Sequence, residues 1–180
     1  EIAQCLVGSE MCIRDSYLPQ DIVIKEVAEA SERFHARYNA TGKQYSYYVW
    51  NSPIPTVFER HRSFHCPQEL DWDKMQAACE KFIGTHDFIG FSALKKTKKS
   101  TTRTIEELSL TREGDMLRFR FKGDGFLYKM VRIITGTILE IGAGTMDISA
   151  IDEIFTNQVR KAAGETVPSQ GLFLDAVYYH

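Results

Sequence analysis

Apolar residues crowd the stretch GFLYKMVRIITGTILEIG at 125–142, and their spacing is helical. At about 100° per residue, Phe126, Leu127, Met130, Val131, Ile133, Ile134, Ile138 and Ile141 share one broad face. Arg132 points the other way, with Tyr128 and Leu139 beside it. A guanidinium taken out of water is costly unless an anion meets it. Arg132 therefore either snorkels to solvent or waits for a carboxylate or a phosphate.

The rest of the pattern alternates strands and helices. Asp21–Ala28 reads as a β-branched strand. Phe34–Asn39 and Gln44–Trp50 read as aromatic-rich strands joined through Ala40-Thr41-Gly42-Lys43. Asp71 is a good N-cap for a helix running to about Ile83, where Gly84 stops it, with Met75, Ala78, Cys79 and Phe82 buried. Arg103–Thr111 and Leu117–Lys122 form a hairpin around Glu113-Gly114-Asp115. A second amphipathic helix begins near Ser149, turning Ile151, Ile154 and Phe155 inward. Leu172–Tyr179 is apolar at both parities, which predicts a central strand. Together these elements predict an α+β domain: a mainly antiparallel sheet with helices packed on one face.

Length and composition narrow this picture. The 180 residues are enough for one domain with a substantial core. No apolar run approaches membrane-spanning length. Cys5, Cys12, Cys66 and Cys79 form no C-x-x-C pair, so a disulfide framework or zinc site is not expected, and a reducing cytoplasm fits. The first residues, EIAQCLVGSEMCIRDS, have no sustained period and no secretory pattern. They read as a translated linker, so residues 1–16 are expected to be foreign or disordered and 17–180 to form the domain. Without them, basic and acidic residues balance. Any nucleic-acid binding must then come from local basic patches.

Two such patches exist. Lys95, Lys96, Lys98, Lys99 and Arg103 crowd one segment, either a solvated loop or an arm for phosphates. In LRFRFK, alternation sets Leu117, Phe119 and Phe121 against Arg118, Arg120 and Lys122. Such a basic strand face is either solvated or suited to an RNA backbone. KGDGFLYK at 122–129 approaches the RNA-recognition signature but has Asp124 and Lys129 where rings must stack on bases. His86-Asp87 reads as a structural turn with Phe88 and Phe91 in the core. Catalytic serine or cysteine contexts, a P-loop and G-x-G-x-x-G are all absent. On the strand face of Tyr45, Tyr47 and Val49, a ring left uncovered could stack on a flipped-out base, worth about 1–3 kcal/mol.

The ordered series LPQDI, FHARYNATGKQYSYYVWN, GTHDFIGF, FLYKMVRIITG and SQGLFLDAVYY resembles the tRNA pseudouridine synthase A family. The match runs from about Leu18 to Tyr179. The resemblance implies isomerisation of uridine to pseudouridine in the anticodon stem-loop, at tRNA positions 38 to 40. It also implies no metal or organic cofactor and a homodimer of subunits, each with two α/β halves around a basic cleft. Arg132 matches the arginine placed against the catalytic aspartate, Tyr45 the tyrosine that stacks on the target uracil, and Leu172 a residue supporting the pocket wall.

The sequence departs from the family at one decisive point. The family nucleophile lies in an R-T-D-A-G-V-type motif before LPQDI, and no such motif occurs here. The chain is thus expected to resemble the C-terminal half of the enzyme and to lack the nucleophile. The competing expectations are a non-catalytic RNA-binding α+β domain and a purely partner-binding one.

Overall fold

A computed structural model describes residues 18–94 and 100–179. The chain divides into two compact units, one ending at Tyr38 and one beginning at Asn39. In the first, residues 18–38 form turns without a helix or strand. Ile22 N–H donates to Pro19, Phe34 N–H to Ser31 and Tyr38 N–H to His35. The expected strands at 21–28 and 34–39 are therefore absent, and Ile22, Val23, Val27, Phe34 and Tyr38 are exposed. Their β-branched and aromatic content suits a strand, but no partner strand pairs with them among the described residues.

The second unit is α+β. Its strands are β1 (Ala40–Trp50), β2 (Phe64–His65), β3 (Gly84–Asp87), β4 (Thr102–Glu113), β5 (Met116–Gly123) and β6 (Leu172–Tyr179). The sheet runs β2-β1-β5-β4-β3, with β6 also paired to β1. Only β1–β2 is parallel. The residues read as a turn at 40–43 are the start of β1, which continues without interruption to Trp50.

Register sorts the two faces. Tyr45 opposes Phe121, Tyr47 opposes Phe119 and Val49 opposes Leu117; on the next strand, Leu108 opposes Phe121 and Leu110 opposes Phe119. This face is the buried one, because each row adds apolar area against the helices, about 1.5–3 kcal/mol per fully buried large side chain. The other face alternates Ser46, Tyr48, Arg118, Arg120 and Lys122.

The α-helices among the described residues are α1 (Trp72–Glu80), α2 (Met130–Gly142) and α3 (Ser149–Asn157). Asp71 caps α1, its carboxylate accepting from Lys74 N–H at 3.1 Å. The helix ends earlier than Ile83, but Phe82 is fully buried as expected. Gly84, at φ +113°, opens the short strand β3 rather than a loop. Phe88 and Phe91 are fully buried, and His86 stacks on Phe155 at 4.6 Å instead of pairing with Asp87.

The helix expected from residue 125 starts at Met130, because Lys129 adopts the left-handed conformation at φ 61°. Residues 126–129 thus leave the helical wheel, and Tyr128 lies in a turn, largely exposed. Within α2 nearly every side chain is buried, Leu139 included. The segment 163–168 crosses over the helix: Gly164 N–H donates to Thr137 Oγ1, and a side chain at Gly136 would collide with the Glu165 carbonyl. This strap covers the side of α2 that the wheel left open.

β6 departs from expectation. Among the described residues it pairs with β1 alone, and Leu174 and Tyr178 are exposed, so it lies at the sheet's edge rather than its centre.

Candidate active site

β1 aims Tyr45, Tyr47 and Val49 at α2, and the site grows around Tyr47. That ring is fully buried. Its hydroxyl donates to the Pro168 carbonyl at 2.5 Å. Burial pushes the phenol far above its usual range, and the nearby positive charge of Arg132 pulls against that. Gly171 packs against the same ring: a methyl there would lie 3.0 Å from Tyr47 Cζ and 2.6 Å from the Tyr48 carbonyl oxygen. The absent side chain lets the chain pass under Tyr47 and turn into β6, where Leu172 opposes Tyr47 and Leu174 opposes Tyr45.

Arg132 reaches the site from α2. Its Nε donates to the Val167 carbonyl at 2.6 Å, and Val167 N–H returns a bond to the Arg132 carbonyl at 3.4 Å. No carboxylate among the described residues pairs with it. Every buried side-chain polar atom among those residues has a hydrogen-bond partner. The two terminal nitrogens of Arg132 have no such partner among the described residues and are not buried. Held at Nε and open at its tip, the guanidinium is a fixed fork, suited to a carboxylate or phosphate.

Tyr45 is half-buried, its ring meeting Phe126 edge-on at 5.3 Å. Burial on that side raises its pKa. Phe126 was expected on the core face of a helix; it lies ahead of α2, where it packs against the core and also walls Tyr45. Tyr45, Arg132 and Leu172 are thus all arranged about Tyr47 on the helix side of the sheet. The Val167–Pro168 strap and Gly171 complete the arrangement, and sequence reading missed them. The proline and glycine flanking Ser169-Gln170 were the only signals, and they mark a turn without naming its neighbours.

The other candidates divide. Arg103 stands two residues before the buried Ile105 on β4, on the same sheet face. It donates to the Ser100 and Thr102 carbonyls. Arg118 and Arg120 lie on the opposite face and are matched by acids. Arg118 pairs with Asp175 at 3.3 Å and lies 5.6 Å from the Tyr48 ring centre; Arg120 lies 3.9 Å from Glu107. Lys122 pairs with Glu106 at 3.0 Å. That strand face is therefore a charge-compensated surface rather than a bare basic one. Lys95, Lys96, Lys98 and Lys99 lie outside the described residues.

A cleft of about 450 Å³ lies between Phe64–Gln68, α2 and the strap. Its charged walls are Glu140 and Glu165, so it suits an anion poorly. Cys66 lines it, and both Cys66 and Cys79 are free and buried thiols. Burial pushes Cys79 up to about 12, leaving it unreactive at neutral pH. Among the described residues no group of side chains could hold a metal ion.

Among the described residues the site presents an arginine and a half-covered tyrosine, with no carboxylate paired to that arginine. Comparison with known proteins gives the chain a family. The family model described as tRNA pseudouridine synthase matches residues 78–180. The chain is 48% identical over 162 residues to "tRNA pseudouridine synthase A" of Acetivibrio thermocellus, covering 90% of this chain and 66% of that protein. It is 41% identical over 167 residues to the protein of the same name from Clostridium kluyveri, covering 93% and 68%. Against that of Halalkalibacterium halodurans it is 46% identical over 158 residues, covering 88% and 60%. The chain spans roughly two thirds of these relatives and corresponds to their C-terminal part. On this sequence likeness, and with a fold that agrees with it, the chain belongs to the tRNA pseudouridine synthase family.

Proposed function

We propose that this chain is the arginine-bearing part of an enzyme that isomerises uridine to pseudouridine in tRNA. The nucleophilic aspartate would come from the portion present in the longer relatives. The observation that carries the reading is the Arg132 fork: fixed at Nε by Val167, open at its tip, and without a carboxylate among the described residues. An aspartate docked there would be kept ionised by the adjacent positive charge. It would bond to the flipped nucleotide as the bond from ribose C1′ to uracil N1 breaks. The base would turn and N1 would take up a proton, and the aspartate would be released as C5 joins C1′. The C5 hydrogen would leave to solvent. Tyr45 would stack on the extruded uracil and Leu172 would back the pocket wall. The substrates would be uridines 38 to 40 of the anticodon stem-loop, and the whole enzyme would act as a cytoplasmic homodimer.

Tritium release from tRNA labelled at uridine C5 tests this. The 180-residue chain should release none, whatever RNA it retains. The chain extended upstream with the remaining portion of a relative should release tritium. In that enzyme Arg132→Lys should lose most of the activity, because an ammonium lacks the planar two-pronged fit to a carboxylate. Turnover by the chain alone would show that the nucleophile has been misplaced.

A further inference from the structure

Lys43 belongs to neither the core nor the ion pairs. It stands two residues before Tyr45 in an unbroken stretch of β1, so both side chains leave the same face, about 7 Å apart along the strand. Lys43 opposes Gly123 on β5, and Gly123 opposes Ile105 on β4. Arg103 precedes Ile105 by two residues and rises from the same face, about 10 Å from β1 across the intervening strand. Between the two cations lies Gly123, itself buried, with β4 backbone in the place of a side chain. A side chain at Gly123 would collide with the Thr104 carbonyl, and a methyl at Gly125 would sit 3.5 Å from Arg103 Nε. Asp124, between the glycines, turns its carboxylate to accept from Thr104 N–H at 3.0 Å. The next residue is Phe126, the wall of Tyr45.

Lys43 and Arg103 thus flank a trough whose floor is the Thr104 backbone over Gly123, with the Arg103 side chain over Gly125 and the Tyr45–Phe126 pair at one end. Lys43 pairs with no carboxylate among the described residues. Neither does Arg103. On the sheet's other face, by contrast, Arg118, Arg120 and Lys122 are each matched by an acid. Two cations without a carboxylate, on the sheet face that carries Tyr45, suit a phosphodiester, which is anionic. We propose that Lys43, together with Arg103, holds the RNA phosphate next to the nucleotide whose base reaches Tyr45. This rests on reading the Tyr45 face as an RNA site.

The test is fluorescence anisotropy of this chain with a short fluorescein-labelled RNA hairpin carrying uridines in its loop. Lys43→Ala, Lys43→Arg, Arg103→Ala and Tyr45→Ala are compared at several salt concentrations, each first shown to keep the wild-type urea midpoint. Lys43→Ala should weaken binding about three- to tenfold and lower the salt slope by about 0.7, the loss of one single-strand phosphate contact, and Lys43→Arg should restore both. Hairpins with one neutral methylphosphonate linkage locate the contact: at one loop position, neutralisation should weaken the wild type and leave Lys43→Ala unaffected.

An unchanged slope in Lys43→Ala and Arg103→Ala, with weakened binding in Tyr45→Ala, would overturn the trough while leaving the RNA face standing. A Lys43→Ala loss that persists undiminished at every neutralised linkage would overturn the phosphate assignment. Wild-type binding that does not saturate, or that no variant alters, would bring down both the RNA face and the trough.

Discussion

At the level of single residues, Tyr47 shows how one side chain serves packing and chemistry together. Its hydroxyl is the anchor for Pro168, next to the carbonyl that fixes Arg132. Tyr47→Phe keeps the ring but leaves the Pro168 carbonyl without that donor. The expected cost is about 1 kcal/mol in urea unfolding, with a larger proportional loss of turnover in the extended enzyme as Arg132 loses its aim. Equal turnover would mean that Val167 needs no help from Tyr47. Tyr45→Ala should act differently, lowering turnover more than tRNA retention, because on the proposed reading one base would stack there while phosphates would hold the whole molecule. Asp71 offers a pH test. Its carboxyl is held below its ordinary value of 3.8, chiefly by the Lys74 N–H at the start of α1. A depressed carboxyl stabilises the fold above that value, and the contribution fades as pH falls through the folded pKa. Asp71→Ala should therefore have a lower urea midpoint at pH 7, and its difference from wild type should close as pH is taken below 3.8.

Among the elements, α2 and its strap depend on Gly136. A methyl there would run into the Glu165 carbonyl, and the strap could yield only by lifting Val167 and Pro168 off the helix. Gly136→Ala should cost about 1–3 kcal/mol, read as a lower Tm, and should cut turnover in the extended enzyme with Arg132 itself intact. A variant as stable and active as the wild type would refute that coupling. Sequence reading found α2, the β4–β5 hairpin, Asp71 and the second amphipathic helix because period and caps are local signals. It missed β3, a four-residue strand that begins at Gly84, because so short a run carries no period. It split β1 at Gly42, reading a turn where the glycine lets β1 pass within 3.4 Å, at its missing Cβ, of the Gly123 carbonyl oxygen. Arg132, Tyr45 and Leu172 were named from motifs, and their placement about Tyr47 emerged only from strand register and the strap. The basic alternation of β5 was legible, but which acids meet it depends on the register of β4 and, for Asp175, on the distant strand β6.

Over the whole molecule, the unequal treatment of sheet edges stands out. β5 is paired on both sides, whereas β6 has only β1 beside it among the described residues. Apolar content on both of its faces describes what a strand can bury, not which neighbour will cover it. In hydrogen exchange, β6 amides that do not donate to β1 should exchange much faster than those of β5, and extension with the remaining portion of a relative shows whether they gain protection. Uniform protection along β6 in the chain alone would show that its outer edge is already covered.

The strap also has a consequence for synthesis of the protein. Arg132 and the carbonyl that aims it are 35 residues apart in the chain. A ribosome that stalls after Gly164 would have delivered β1 to β5 and every α-helix, yet an arginine with no fixed direction. Such a product would carry most of the fold and none of the aim, so incomplete translation would yield an inert protein rather than a partly working one.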